Sequence, residues 1–153
     1  MSTAPLMPLD GDSLSSFEQY RLAREILRVE GQALTTLADR LDKVAFCDAV
    51  EIIFKTPGNV IVSGMGKAGL IGQKLVATLA STGTRAHYLH PAEAVHGDLG
   101  RVRSDDTVIV LSYGGETAEV SRILPTLELF GVPLIAITGK PQSTLGRAAT
   151  VTL

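Results

Sequence analysis

Apolar and polar positions follow one rhythm up to about residue 57 and another beyond it. In the front part Tyr20, Ala23, Leu27, Leu34, Leu37 and Leu41 recur at helical spacing and form one apolar stripe. Ser15, Ser16, Phe17 and Glu18 read as a capping box ahead of it, the serine oxygen and the glutamate carboxylate each taking a backbone donor that a helix start leaves open. Glu30 interrupts the stripe and is expected at its edge, reaching water. A second, shorter helical pattern runs from Val44 to Lys55 and closes at the turn Pro57-Gly58-Asn59. Met1 to Ser13 is rich in Pro, Ser and Asp, has no period, and is expected to fray.

Beyond the turn, short apolar runs alternate with helical patterns. Val60-Ile61-Val62 is β-branched, and a helical stretch from Lys67 to Thr82 follows it, closed by Gly83. Arg85 to Leu89 reads as a second strand and Val108 to Leu111 as a third. A helix near Glu116 to Phe130 comes next, with Gly131 past its end and Pro125 inside it as an expected kink. Leu134 to Ile137 is a fourth strand, a short helix lies near Ser143 to Ala149, and Val151-Thr152-Leu153 opens a fifth strand. Continuously apolar strands separated by helices predict an α/β fold, a parallel sheet covered on both faces.

Composition sharpens this picture in three places. Of fifteen glycines only Gly11 and Gly31 precede Gly58, so glycine punctuates the strand-bearing part. A net charge of -2 gives no reason to expect a nucleic-acid partner. A single cysteine, Cys47, allows no internal disulfide and no cysteine-rich zinc site, and fits a reducing cytoplasm. No apolar run approaches the ~20 residues of a membrane helix, and the start of the chain lacks a secretory pattern, so a soluble protein without a membrane partner is expected.

In open parallel sheets, ligands bind beyond the carboxyl ends of the strands. That selects three loops: Gly64 to Gly69, His90 to Gly100, and Ser112 to Glu119. The first matches G-x-G-x-x-G between a strand and a helix, the setting of a dinucleotide site. The second strand, however, ends Tyr88-Leu89-His90, with no acidic residue for ribose hydroxyls. A phosphate-binding P-loop fails as well, since Ile61 and Ala68 occupy its glycine and hydroxyl positions. What remains is a glycine turn offering helix N–H groups to an anion, with Lys67 adding a charge; Gly69 and Gly72 are expected to serve close packing instead. Ser112 and Thr117 bring hydroxyls to the third-strand loop, where Thr117 is alternatively a plain helix cap. Glu119 falls in the first helical turn, a favourable place for a carboxylate. Three histidines invite a zinc reading, but His87 and His90 face opposite sides of extended chain, and nothing is spaced to complete a site. A loop histidine such as His96 suits proton transfer better. Asp105-Asp106 reads as a solvated turn.

Taken together the loops resemble the SIS (sugar isomerase) domain, in its D-arabinose-5-phosphate isomerase branch. The resemblance rests on G-M-G-K-A-G (Gly64 to Gly69), A-S-T-G-T (Ala80 to Thr84), H-P-A-E-A-V-H-G-D-L-G (His90 to Gly100), G-E-T-x-E ending at Glu119, and P-L-I-A-I-T-G (Pro133 to Gly139). It covers roughly Asn59 to Leu153, with weaker agreement along Arg24 to Leu41. It implies a three-layer α-β-α sandwich of flavodoxin-like or Rossmann-like type, preceded by N-terminal helices. The activity it implies is aldose–ketose isomerisation of D-arabinose 5-phosphate and D-ribulose 5-phosphate, with no cofactor.

By the same resemblance Lys67, His96 and Glu119 are catalytic. Gly83, Thr84, His96, Ser112, Gly115 and Thr117 contact the sugar phosphate, and His90 is a position where zinc binds, as an inhibitor. Homo-oligomers, specifically tetramers, are implied too. Two departures stand out. Ser112-Tyr113-Gly114-Gly115-Glu116 replaces the usual S-N-S-G-E, so Gly114 lacks a phosphate-binding hydroxyl and Tyr113 is enlarged. The family also draws a further Glu and a further His from after the fifth strand. The expected organisation is therefore a flexible stretch over 1–14, helices over 15–57 belonging to the fold, and a core over 58–153 cut short at its fifth strand. A sugar-phosphate-binding module without turnover, or an inactive fragment, is the alternative.

Overall fold

A computed structural model describes residues 14–153 of the chain, and the fraying expected of Met1 to Ser13 lies outside them. The chain separates into two compact units at Leu41. The first is the helix α1 (Ser16–Arg40). Its capping box is present: the Ser15 hydroxyl accepts from the Glu18 N–H at 3.3 Å, and the Glu18 carboxylate accepts from the Ser15 N–H at 2.9 Å. Its apolar stripe is exposed throughout, and Glu30 is in water as expected.

The second unit spans Asp42–Leu153. It contains α2 (Lys43–Lys55), β1 (Val60–Gly64), α3 (Gly66–Ser81), β2 (Ala86–Tyr88), α4 (Pro91–Val95), a 3₁₀ turn (Asp98–Arg101), β3 (Thr107–Leu111), α5 (Ala118–Phe130), β4 (Leu134–Ile137), α6 (Thr144–Ala148) and β5 (Val151–Thr152). All five strands are parallel, in the order β2-β1-β3-β4-β5. Alternate residues of each strand feed opposite faces. Ile61, Val108, Val110, Leu134 and Ala136 pack with Val120, Ile123, Leu124 and Leu127 of α5. Val60, Val62, Ile109, Leu111 and Ile135 pack with Ala49 of α2 and with Leu75, Val76 and Leu79 of α3. Burial on both faces explains why the central strands read as unbroken apolar runs. The three-layer α/β architecture is the one the resemblance implied.

Two local readings change and one holds. The helix after β3, α5, begins at Ala118, leaving Glu116 and Thr117 in the loop, and it runs on through Pro125 to Phe130. Asp106 is not solvated. Only 1% exposed, it accepts hydrogen bonds from the Asn59 N–H (2.7 Å), the Asn59 amide (3.2 Å) and the Arg103 N–H (2.8 Å). Backbone donors at the amino edge of the sheet need a partner away from water, and this carboxylate supplies it. The glycine packing expectation holds: a Cβ on Gly69 would lie 2.5 Å from the Tyr88 hydroxyl, and one on Gly72 would lie 3.2 Å from Val62.

Candidate functional site

The strand order reverses its direction of growth between β1 and β3, which creates a crevice at their carboxyl ends. Gly64 and Leu111 stand side by side there, so the loops after β1 and β3 leave the sheet together. The first enters α3, which packs on one face, and the second enters α5, which packs on the other. Lys67 is exposed in the first turn of α3, and Glu119 is half-buried in the first turn of α5. β2 adjoins β1, so the loop that follows it reaches the same edge; His96 ends α4 there and is exposed. The topology thus brings Lys67, His96 and Glu119 to one edge of the sheet.

Helix capping distinguishes the starts of α3 and α5. Ser15, Asp42, His90 and Ser143 cap α1, α2, α4 and α6 with side-chain acceptors, whereas α3 and α5 have none. Thr117 holds the N-cap position of α5, yet its hydroxyl pairs with the Ser112 hydroxyl at 2.8 Å. The plain-cap alternative for Thr117 is therefore not what the structure adopts. Both helix starts at the crevice keep N–H groups open, and each carries the positive end of a helix dipole. Gly66 enters α3 at φ +55°, a backbone angle that favours glycine.

Gly115, Gly83 and Thr84, which the resemblance implies as substrate contacts, are placed differently from the other expected contacts. Gly115 offers no free amide, because its N–H donates to the Ser112 carbonyl (3.0 Å) and hydroxyl (3.2 Å). It is glycine for steric reasons: φ is +66°, and a Cβ would lie 1.8 Å from the Ser143 hydroxyl. Gly83 and Thr84 follow α3 and precede β2, so they sit at the amino edge, one strand length of about 16 Å from the crevice. Parallel strands put the end of one helix and the start of the next strand on the side opposite the binding loops.

His90 caps α4, its Nδ1 accepting from the Ala92 N–H at 3.3 Å. Among the described residues no group of three His, Cys, Asp or Glu side chains is placed to hold a metal. His87, in β2, stands outside the crevice. Its Nε2 is buried without a partner, and burial together with Arg101 holds its pKa below the ordinary histidine value, against a smaller opposing pull from Asp106.

Several supporting residues have no local signal in the sequence. The buried Ser63 donates to the Leu89 carbonyl at 2.7 Å, tying the exit of β2 to β1. The Tyr88 hydroxyl donates to the Gly64 carbonyl beneath the glycine turn, and its ring meets that of His90 edge-on with centroids 6.3 Å apart. Glu116 binds Thr144, and Tyr113 lies exposed over Gly139.

Comparison with known proteins gives the family. The arabinose 5-phosphate isomerase GutQ of Salmonella typhi is 51% identical over 130 residues, covering 85% of this chain and 40% of that protein. The arabinose 5-phosphate isomerase KdsD of the same organism is 45% identical over 137 residues, covering 90% of this chain and 42% of that protein. The chain thus spans less than half the length of these curated relatives. A solved structure of an Escherichia coli CFT073 protein in complex with A5P superposes with a TM-score of 0.86 at 36% identity, covering 91% of this chain and 73% of that one. The SIS domain profile matches residues 52–153, from within α2 through every strand and all three crevice loops. With the fold, the loops and the profile in agreement, the chain belongs to the SIS domain family.

Proposed function

We propose that this chain carries the sugar-phosphate site of an isomerase interconverting D-arabinose 5-phosphate and D-ribulose 5-phosphate. The observation that carries the reading is the pair of helix starts without side-chain caps at one crevice, with Lys67 on one, Glu119 on the other, and the Ser112 and Thr117 hydroxyls beside them. Open N–H groups and hydroxyls bind a phosphate dianion, and the anchored phosphate fixes the sugar for proton transfer. Relatives named as arabinose 5-phosphate isomerases support the choice of substrate.

Arabinose 5-phosphate reacts as its open-chain aldehyde. Glu119 removes the C2 proton; the electron pair forms the C1–C2 double bond, and the aldehyde oxygen becomes an enediolate oxygen. Lys67 stabilises that oxygen, an effect worth about 3 kcal/mol per donor. His96 carries the proton from the C2 hydroxyl to the C1 oxygen while a proton returns to C1, leaving the C2 carbonyl of ribulose 5-phosphate. The hydrogen leaves and returns as a proton, so the step consumes no redox cofactor.

The same reading makes the protein cytoplasmic and self-associating, a tetramer, with residues 15–57 belonging to the fold. No helix among the described residues is long and apolar enough to cross a membrane. Exposed Leu70 and Ile71 on α3, with the uncovered stripe of α1, support association. A coupled assay of ribulose 5-phosphate consumption, run beside a sugar-phosphate binding titration, tests the function. In a chain extended past Leu153, turnover is expected. Binding without turnover would leave a sugar-phosphate-binding module, and the absence of both would overturn the reading.

A further inference from the structure

The loop after β3 is fastened along the side that faces β4 and α6. The Tyr113 carbonyl accepts from the Gly139 N–H at 3.0 Å and from the Thr138 hydroxyl at 3.2 Å. The Gly115 carbonyl accepts from the Leu145 N–H at 3.1 Å. One fastening is charged. The Glu116 carboxylate accepts from both the N–H (2.8 Å) and the hydroxyl (2.7 Å) of Thr144, 28 residues along the chain. Glu116 adjoins Thr117, whose hydroxyl meets that of Ser112, and neither Glu116 nor Thr144 has a part in the chemistry above.

We propose that Glu116 and Thr144 are positioning residues for the phosphate. Their two-pronged, charge-assisted contact holds the 112–117 loop in one shape, so that the Ser112 and Thr117 hydroxyls and the first N–H groups of α5 converge before ligand arrives. The inference rests on reading that loop as the phosphate cradle. Its physical basis is preorganisation: a loop in its binding shape for only a fraction of the time binds more weakly by that fraction. Hydrogen bonds to a charged acceptor are the stronger kind, which makes this pair the most effective of the fastenings.

The 153-residue chain is titrated with arabinose 5-phosphate and, separately, with inorganic phosphate, by calorimetry and by the amide resonances of Ser112 to Thr117. Thr144→Val removes the hydroxyl, Glu116→Gln removes the charge at an exposed site that tolerates it, and Thr144→Ser restores the hydroxyl. The Val and Gln variants are expected to raise the Kd about tenfold, with Thr144→Ser within about twofold of the original. A purely structural role predicts no such rescue and no loss of affinity while the variants stay folded by circular dichroism. Unchanged Kd values in both variants, or failure of Thr144→Ser to recover, overturns the proposal. If the unmodified chain gives no response in this loop to either ligand, the isomerase reading fails first and takes the proposal with it.

Discussion

The two edges of the sheet are built from the same residue types and end in opposite states. At the amino edge, polar groups close on one another. Asp106 takes three donors, and the Thr56 and Thr107 hydroxyls pair at 2.7 Å. Gly58 is small there because a Cβ would lie 2.5 Å from the Asp106 carboxylate. At the carboxyl edge two helices start without side-chain caps, Gly66 and Gly114 face open space, and Lys67 and His96 stand in water. One edge uses Asp, Thr and Gly to complete the fold, and at the other the first N–H groups of two helices stay open although the Ser112 and Thr117 hydroxyls pair with each other.

Substitutions that separate chemistry from folding test this contrast hardest. In an active chain, Lys67→Ala and Glu119→Gln are each expected to lower turnover by at least about 10²-fold, the scale of one general base or oxyanion donor, with melting temperatures unchanged. Wild-type rates in both would remove the open edge as a catalytic one. At the closed edge the effects reverse: Asp106→Ala orphans three donors and is expected to cost about 3 kcal/mol in denaturant unfolding. A stability loss below experimental error would show that water replaces the carboxylate. Gly115→Ala is expected to cost about 2–4 kcal/mol and to weaken phosphate binding, since it forces both a left-handed backbone angle and a collision with Ser143.

Gly114→Ser should act in the other direction. Nothing lies within 4 Å of a Cβ at this position, so the hydroxyl enters freely, and phosphate affinity is expected to rise about threefold to tenfold by titration. No gain would mean that the cradle is already saturated by Ser112 and Thr117. The smallest effect concerns His87. Burial and Arg101 depress its folded pKa, so the unfolded chain takes up the proton first, from the ordinary value of 6.5 downward. Its stability contribution is complete above about pH 6.5 and is lost as the pH falls through the folded pKa. Thermal melts between pH 7.5 and 5 should decline less steeply in His87→Gln, and identical slopes would discard the assignment.

Legibility of the chain followed distance along the sequence. The strands, the capping box at Ser15 and Glu18, and the close-packing glycines Gly69 and Gly72 are local patterns, because alternation, helical period and lack of a side chain act within a few residues. The candidate residues Lys67, His96 and Glu119 were legible as groups following strands, and the strand order then placed all three on one edge. Asp106 was misread as solvated because its partner Asn59 lies 47 residues away. The steric need for glycine at Gly115 was not legible, because its clash with Ser143 does not exist until β4 and α6 fold beside it.

By itself the sequence determined an α/β chain with apolar strands, glycine turns and a set of candidate groups at their ends. Only the tertiary structure decided which groups stay available. Whether a hydroxyl, carboxylate or amide is free depends on what packs against it, and that is set by strand order and by contacts between residues dozens of positions apart. The strand order decided that Gly83 and Thr84 fall on the edge opposite Lys67 and Glu119, since parallel strands send successive connections to alternate ends of the sheet.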